Sequence, residues 1–195
     1  MRIVLVLHGS DDQEYIESVR SFTNKVGVHY AFASYVHPLV NEVIGDVYIP
    51  LFIGYGKDYE KAVNTSGFLT PPILEWPGFR NLLLSLGPGL YVFHGENNER
   101  FNEEVRNVGI NDIAFLAIKP TLTEYLHHDC PNKVIPVVLT RGIIYRKIVS
   151  IVKETCPDTH VEKPLLELEG FVKYFKESLN WVISNTRCLQ CLGKQ

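Results

Sequence analysis

The sequence predicts an α/β fold made of two tandem doubly wound domains, each with a mainly parallel four-stranded sheet flanked by helices. Three observations carry this expectation. The chain nearly repeats itself, β-branched runs alternate with amphipathic stretches, and the strand-like runs are almost wholly apolar. Ile49-Pro50-Leu51-Phe52-Ile53-Gly54-Tyr55-Gly56 and the residues after it return 86 positions later from Ile135-Pro136, with Ile, Pro, Gly, Tyr, Lys and Val in register. A run ending in His8-Gly9 comes back at the same offset as His94-Gly95. Two copies at so long a period indicate duplicated units rather than a solenoid.

In the first copy, strands are expected over residues 3–7, 28–35, 47–53 and 72–75, and helices over 11–25, 38–44, 58–64 and 79–86. The second copy repeats the order, with strands over 91–93, 113–118, 134–139 and 159–162. Strands without polar alternation are covered on both faces, as in parallel sheets. Strict strand and helix alternation then gives doubly wound units. Apolar residues at helical spacing over 173–183 predict a long packing helix. Gly87-Pro88-Gly89 punctuates the chain, so residues 1–88 form the first half, 89–185 the second and 186–195 a cysteine-containing tail.

Composition narrows the function. With 46% hydrophobic and 21% charged residues the chain is an ordinary globular one. A net charge of -3 lends no support to nucleic-acid binding. No apolar run approaches the roughly 20 residues of a membrane span, and the N-terminal run lacks a signal-peptide cleavage site. The expected compartment is the cytoplasm. Four cysteines are too few for a disulfide scaffold, in keeping with that expectation.

Ligands of open parallel sheets bind beyond the carboxyl ends of the strands. His8-Gly9-Ser10 and Gly54-Tyr55-Gly56-Lys57-Asp58 both fall there. Imidazole and carboxylate together suit a divalent transition metal. His8 alone reads equally as a hydrogen-bonded turn residue. Asp58 reads equally as a helix N-cap; its counterpart Ile144 can neither cap nor bind metal, so the first copy kept a polar task that the second lost. Glu96, Glu99, Glu103 and Glu104 read best as an acidic first helical turn favoured by the macrodipole, with guidance of a metal as the alternative.

These residues resemble the sirohydrochlorin chelatases and related class II tetrapyrrole metal chelatases. The pieces are Leu7-His8-Gly9-Ser10, Ile49-Pro50-Leu51-Phe52-Ile53, Gly56-Lys57-Asp58 and the segment from Cys156 to Leu165. The resemblance spans nearly the whole chain apart from the tail, in a compact form with two fused repeats; Asp58 stands where the family has a second metal-binding His. It implies ATP-independent insertion of cobalt, nickel or ferrous iron into sirohydrochlorin or a related tetrapyrrole, as in cobalamin biosynthesis. His8 and His94 would be catalytic, and His8, Asp58 and His94 metal-binding. Gly9, Ser10, Gly56, Lys57 and Arg141 would hold the substrate, with Arg146 a further cation for its carboxylates; solvated surface charge is the alternative for these cations. The runner-up is a noncatalytic tetrapyrrole or metal carrier with the same fold. Partners are a tetrapyrrole small molecule, no nucleic acid and no membrane, with homodimerisation left open.

Cys188 and Cys191 form a Cys-x-x-Cys in the tail. Two thiolates are half a zinc or iron–sulfur site. Reduced, mobile thiols are the plainer expectation.

Overall fold

A computed structural model describes the backbone of residues 1–192 and the side chains of residues 1–190. The first half opens with β1 (Ile3–Leu7), α1 (Gln13–Val26), β2 (His29–Phe32) and β3 (Val47–Pro50), followed by α2 (Lys57–Ser66), β4 (Phe68–Leu69) and α3 (Phe79–Ser85). The second half begins with β5 (Leu90–Phe93), α4 (Glu99–Asn107), β6 (Ile113–Phe115) and α5 (Leu122–His128). It continues with β7 (Lys133–Pro136), α6 (Ile143–Thr155), β8 (His160–Val161) and α7 (Glu169–Asn185), and the chain closes with β9 (Arg187–Cys188) and α8 (Leu189–Leu192).

The architecture is α/β with parallel sheets flanked by helices. The first sheet has order β2-β1-β3 and the second β6-β5-β7-β8, all neighbours parallel. Only the second sheet has the expected four strands. In the first half, residues 72–75 are a 3-10 turn rather than a strand, and β4 pairs antiparallel with β9 instead of joining the sheet. Pro71-Pro72 accounts for the missing strand, because proline donates no ladder hydrogen bond. The expected helix over 38–44 is likewise a single 3-10 turn, Val40–Glu42.

The duplication reaches the backbone hydrogen bonds. Leu51 N–H donates to Val6 O at 2.9 Å and Val137 N–H to Val92 O at 2.8 Å. Ile73 N–H donates to Phe52 O as Leu165 N–H does to Val138 O, both at 2.9 Å. Phe32 and Phe115 each receive the chain back from a proline, Pro38 or Pro120, at 2.8 and 2.9 Å. Helix ends follow local chemistry: the Asp12 side chain accepts from Glu14 N–H at 3.0 Å to start α1, and Gly27, at φ 74°, ends it.

Each half keeps a small apolar cluster of its own, around Val4 and Val6 in the first and Val92 and Ile148 in the second, and the two share a larger core. One apolar cluster takes in Leu5, Phe22, Ile49 and Phe79 from the first half and Phe93, Val137, Phe171 and Phe175 from the second. Helix α7 packs on α1 and α3 of the other half. Phe22 meets the rings of Phe171 and Phe175 at 5.7 and 5.1 Å, and the Tyr174 hydroxyl donates to Pro77 O at 3.1 Å. Charged pairs rim this seam: Lys25 with Glu169 at 2.6 Å, and Arg146 with Asp12 and, at 2.9 Å, with Glu14.

Two cysteine expectations are corrected. Cys130 and Cys156, 26 residues apart, form a disulfide with Cα atoms 5.7 Å apart; it ties the loop after α5 to the end of α6, where Cys156 is buried. Cys188 lies in β9, hydrogen-bonded to β4, rather than in a mobile tail. The side chain of Cys191, the other half of the expected metal or iron–sulfur pair, falls outside the described residues. No helix among the described residues is long and apolar enough to cross a membrane.

Two measurements check this account of the fold. Closing a loop of this length is worth about 2–4 kcal/mol, so reductant is expected to lower the unfolding free energy in urea by that amount, and to add no loss in a Cys130→Ser, Cys156→Ser double variant. Glu167 receives two hydrogen bonds from Arg141, at 2.7 and 3.1 Å, and one from the Ser18 hydroxyl at 3.1 Å. The guanidinium holds its carboxyl below the ordinary value of 4.5. A carboxyl depressed on folding adds stability above its unfolded pKa and loses it as pH falls through the folded one. The thermal midpoint should therefore fall as pH drops below about 4.5, and more shallowly in Glu167→Gln, which should also be the less stable protein at neutral pH.

Candidate functional site

The carboxyl ends of β1, β3, β5 and β7 open into a cleft of about 750 Å³. That volume is in the range of small-molecule sites. Its walls are mostly apolar, drawn from both halves: Leu51, Phe52 and Ile53 on one side, Val137, Val138 and Leu139 on the other. His8, Asp58 and His94 all line it, as do Gly9, Ser10 and Gly56.

His8 leaves the end of β1 at a turn that only glycine can complete. Gly9 has φ 98°, and a Cβ there would lie 2.0 Å from Ser34 O. The turn is pinned further by the Ser34 hydroxyl, which donates to His8 O at 3.1 Å, and by Gly9 N–H, which donates to the Tyr15 hydroxyl at 3.3 Å. Burial pushes the Tyr15 phenol up to about 12, so it stays a neutral hydrogen-bonding group at physiological pH.

Asp58 is not the cap of α2. Gly56 occupies the N-cap and no side chain caps it, while Asp58 sits in the first helical turn. Its Oδ1 lies 3.2 Å from His8 Nδ1. The two atoms are near but not aligned as a hydrogen bond, and Nδ1 is a buried nitrogen with no hydrogen-bond partner. Two donors each about 2.0–2.2 Å from one ion stand about 2.9 Å apart at a right angle and about 3.4 Å apart at the tetrahedral angle. The observed spacing falls between these values. The side chains are 34% and 55% exposed, enough to admit an ion from solvent.

The other half answers with different residues. His94 ends β5 as His8 ends β1, but Ile144 takes the place of Asp58. Glu96 supplies the acid instead. It precedes α4 rather than joining its first turn, which corrects the macrodipole reading for this residue; Glu99 alone of the four acids starts the helix. The Glu96 carboxylate crosses to the first half and lies over Gly56, where a Cβ would come within 2.4 Å of both its oxygens. Lys57 N–H donates to it. Burial holds its carboxyl above the ordinary range, reinforced by the Asp58 charge and opposed by His94 and Lys57. Among the described residues no three His, Cys, Asp or Glu side chains form a ready-made metal cage.

The expected cationic anchors lie elsewhere. Arg141 is engaged by Glu167 and Arg146 by Asp12 and Glu14, and neither lines the cleft; nor does Lys57. Sequence reasoning missed Tyr35, a cleft residue at φ 71° that is 74% exposed. Its ring lies 5.2 Å from that of His8, with Lys61 Nζ at 5.2 Å. A left-handed, solvent-facing tyrosine beside a reactive group is the kind of strained position that collects at ligand sites. Only the proximity of Pro38 hinted at so tight a turn.

No family model matches the chain, and comparisons with curated proteins and with solved structures return no match.

Two of the glycines that line the cleft, Gly9 and Gly56, separate strain from crowding. Gly9→Ala drives a methyl into backbone and is expected to cost about 3 kcal/mol of stability or more. Gly56→Ala meets only the mobile end of Glu96 and should cost about 1 kcal/mol or less. Urea unfolding of both variants checks the contrast.

Proposed function

We propose that the cleft inserts a divalent metal ion into a tetrapyrrole without nucleotide. The observation that carries this reading is the unsatisfied His8 Nδ1 set 3.2 Å from Asp58 Oδ1 at the mouth of an apolar-walled cleft. The motif resemblance at His8-Gly9-Ser10 and Gly56-Lys57-Asp58 points the same way. The metal is a substrate here, and His8 and Asp58 hold it. Two protein donors leave the rest of its coordination sphere to water and then to ring nitrogens, which favours transfer over retention. A nitrogen and oxygen pair accepts cobalt, nickel and ferrous iron alike.

The ring must give up two protons as the metal enters. His94, exposed at the end of β5, is the base assigned to this step, taking the two protons in turn and passing each to solvent. The apolar walls exclude water from the macrocycle faces, and Tyr35 offers a ring edge beside His8 for it to rest on.

The decisive assay is anaerobic absorbance spectroscopy of the protein with a free-base tetrapyrrole and cobalt, nickel or ferrous ion. Metal-dependent spectral conversion faster than the protein-free control is expected. His8→Ala should slow it by about 100-fold or more and Asp58→Ala by about 10-fold. Pigment binding with no rate above background would reject catalysis and leave a carrier.

A further inference from the structure

The charge distribution of the cleft points to the class of macrocycle. Three carboxylates, Asp11, Asp58 and Glu96, line it, and among the described lining residues none is Lys or Arg. Lys61 stands outside the lining, over the Tyr35 ring at 5.2 Å, and Lys57 acts on Glu96 from beside it, while the arginines nearby are committed elsewhere. Arg141 and Arg146 bind carboxylates of the seam between the halves. Arg100 lies over the Tyr55 ring at 3.2 Å and pairs with Glu75 and Glu104. The position that holds Lys57 in the first copy holds Ile143 in the second, a cleft residue that is 66% exposed. A ring ringed by carboxylates would bring its negative charges against acids and aliphatic side chains, and like charges set together at an interface cost several kcal/mol.

Resting on the reading of the cleft as a tetrapyrrole site, we propose that its substrate is a macrocycle with few acidic substituents, selected against rings carrying a carboxylate on every edge. The apolar walls, Leu51, Val138 and Ile144 among them, take the ring faces. The few acids of such a ring reach solvent past Tyr35 and Ile143. The selectivity is set by both halves: Asp11 and Asp58 of the first and Glu96 of the second supply the negative charge, and Ile143 and Ile144 stand where the first half has Lys57 and Asp58.

The test is a fluorescence titration of the intact protein with three metal-free porphyrins: the dicarboxylate deuteroporphyrin, the tetracarboxylate coproporphyrin and the octacarboxylate uroporphyrin. At low salt the dicarboxylate is expected to bind about tenfold or more tighter than the octacarboxylate, with the tetracarboxylate between them. The gap should narrow as salt screens the repulsion. Ile143→Lys, which copies the first half at an exposed site, should shift the ratio toward the octacarboxylate while leaving the thermal midpoint unchanged. Equal or tighter binding of the octacarboxylate by the natural protein would overturn the selectivity while leaving the metal-insertion reading intact. Binding of none of the three would overturn both.

Discussion

Aromatic burial between the two halves is the constraint on which the cleft depends. Helix α7 belongs to the second half by sequence, yet Phe171 and Phe175, both fully buried, seat against Phe22 of α1, and Tyr174 reaches Trp76 and Phe79. Each such ring contributes about 1.5–3 kcal/mol by leaving water. Because these rings come from opposite halves, the largest of the three apolar clusters is completed only when both halves meet. The strand ends of both sheets are thereby held around one opening, and a side chain from one half can act beside a side chain from the other.

Within that frame the halves share a backbone and differ in chemistry. The turn after the first strand of each half carries His then a left-handed Gly, and the hydrogen bonds that follow match pair by pair. What diverged are the side chains at the ends of β3 and β7. Gly56-Lys57-Asp58 against Gly142-Ile143-Ile144 turns a polar rim into an apolar one. Glu96 then crosses from the second half to restore a carboxylate over Gly56. The result is one cleft with a metal-competent wall and a greasy one, which a symmetric duplication would not have produced.

The charged residues divide into two groups by the same logic. At the seam, Arg146 binds Asp12 and Glu14 across the halves, while Arg141 binds Glu167 within the second half and Ser18 of the first half donates to that carboxylate. Those that line the cleft are acids and histidines. A cation locked into a bidentate pair has little charge left to offer a ligand, so the seam and the cleft draw on different side chains.

Periodicity, repeat and strand-end position were enough to read the parallel α/β class, the alternation of elements, and that His8, Asp58 and His94 line one cleft, though among the described residues they do not form one metal-holding group. These follow from local pattern plus the rule that parallel strands point their carboxyl ends the same way. Pairings between residues distant in sequence were not legible. The Cys130–Cys156 disulfide, the β4–β9 ribbon, the seam pairs of Arg141 and Arg146 and the reach of Glu96 over Gly56 all join segments whose proximity no local signal encodes. Glu96 in particular sits in an acidic stretch that is locally a good helix start, and only the shared core brings α2 of the other half beneath it. The sequence alone determined which side chains stand at strand ends; the packing of α7 across the halves decided which of them face one another, because burial of apolar surface is non-directional and sets partners only once the whole chain has closed.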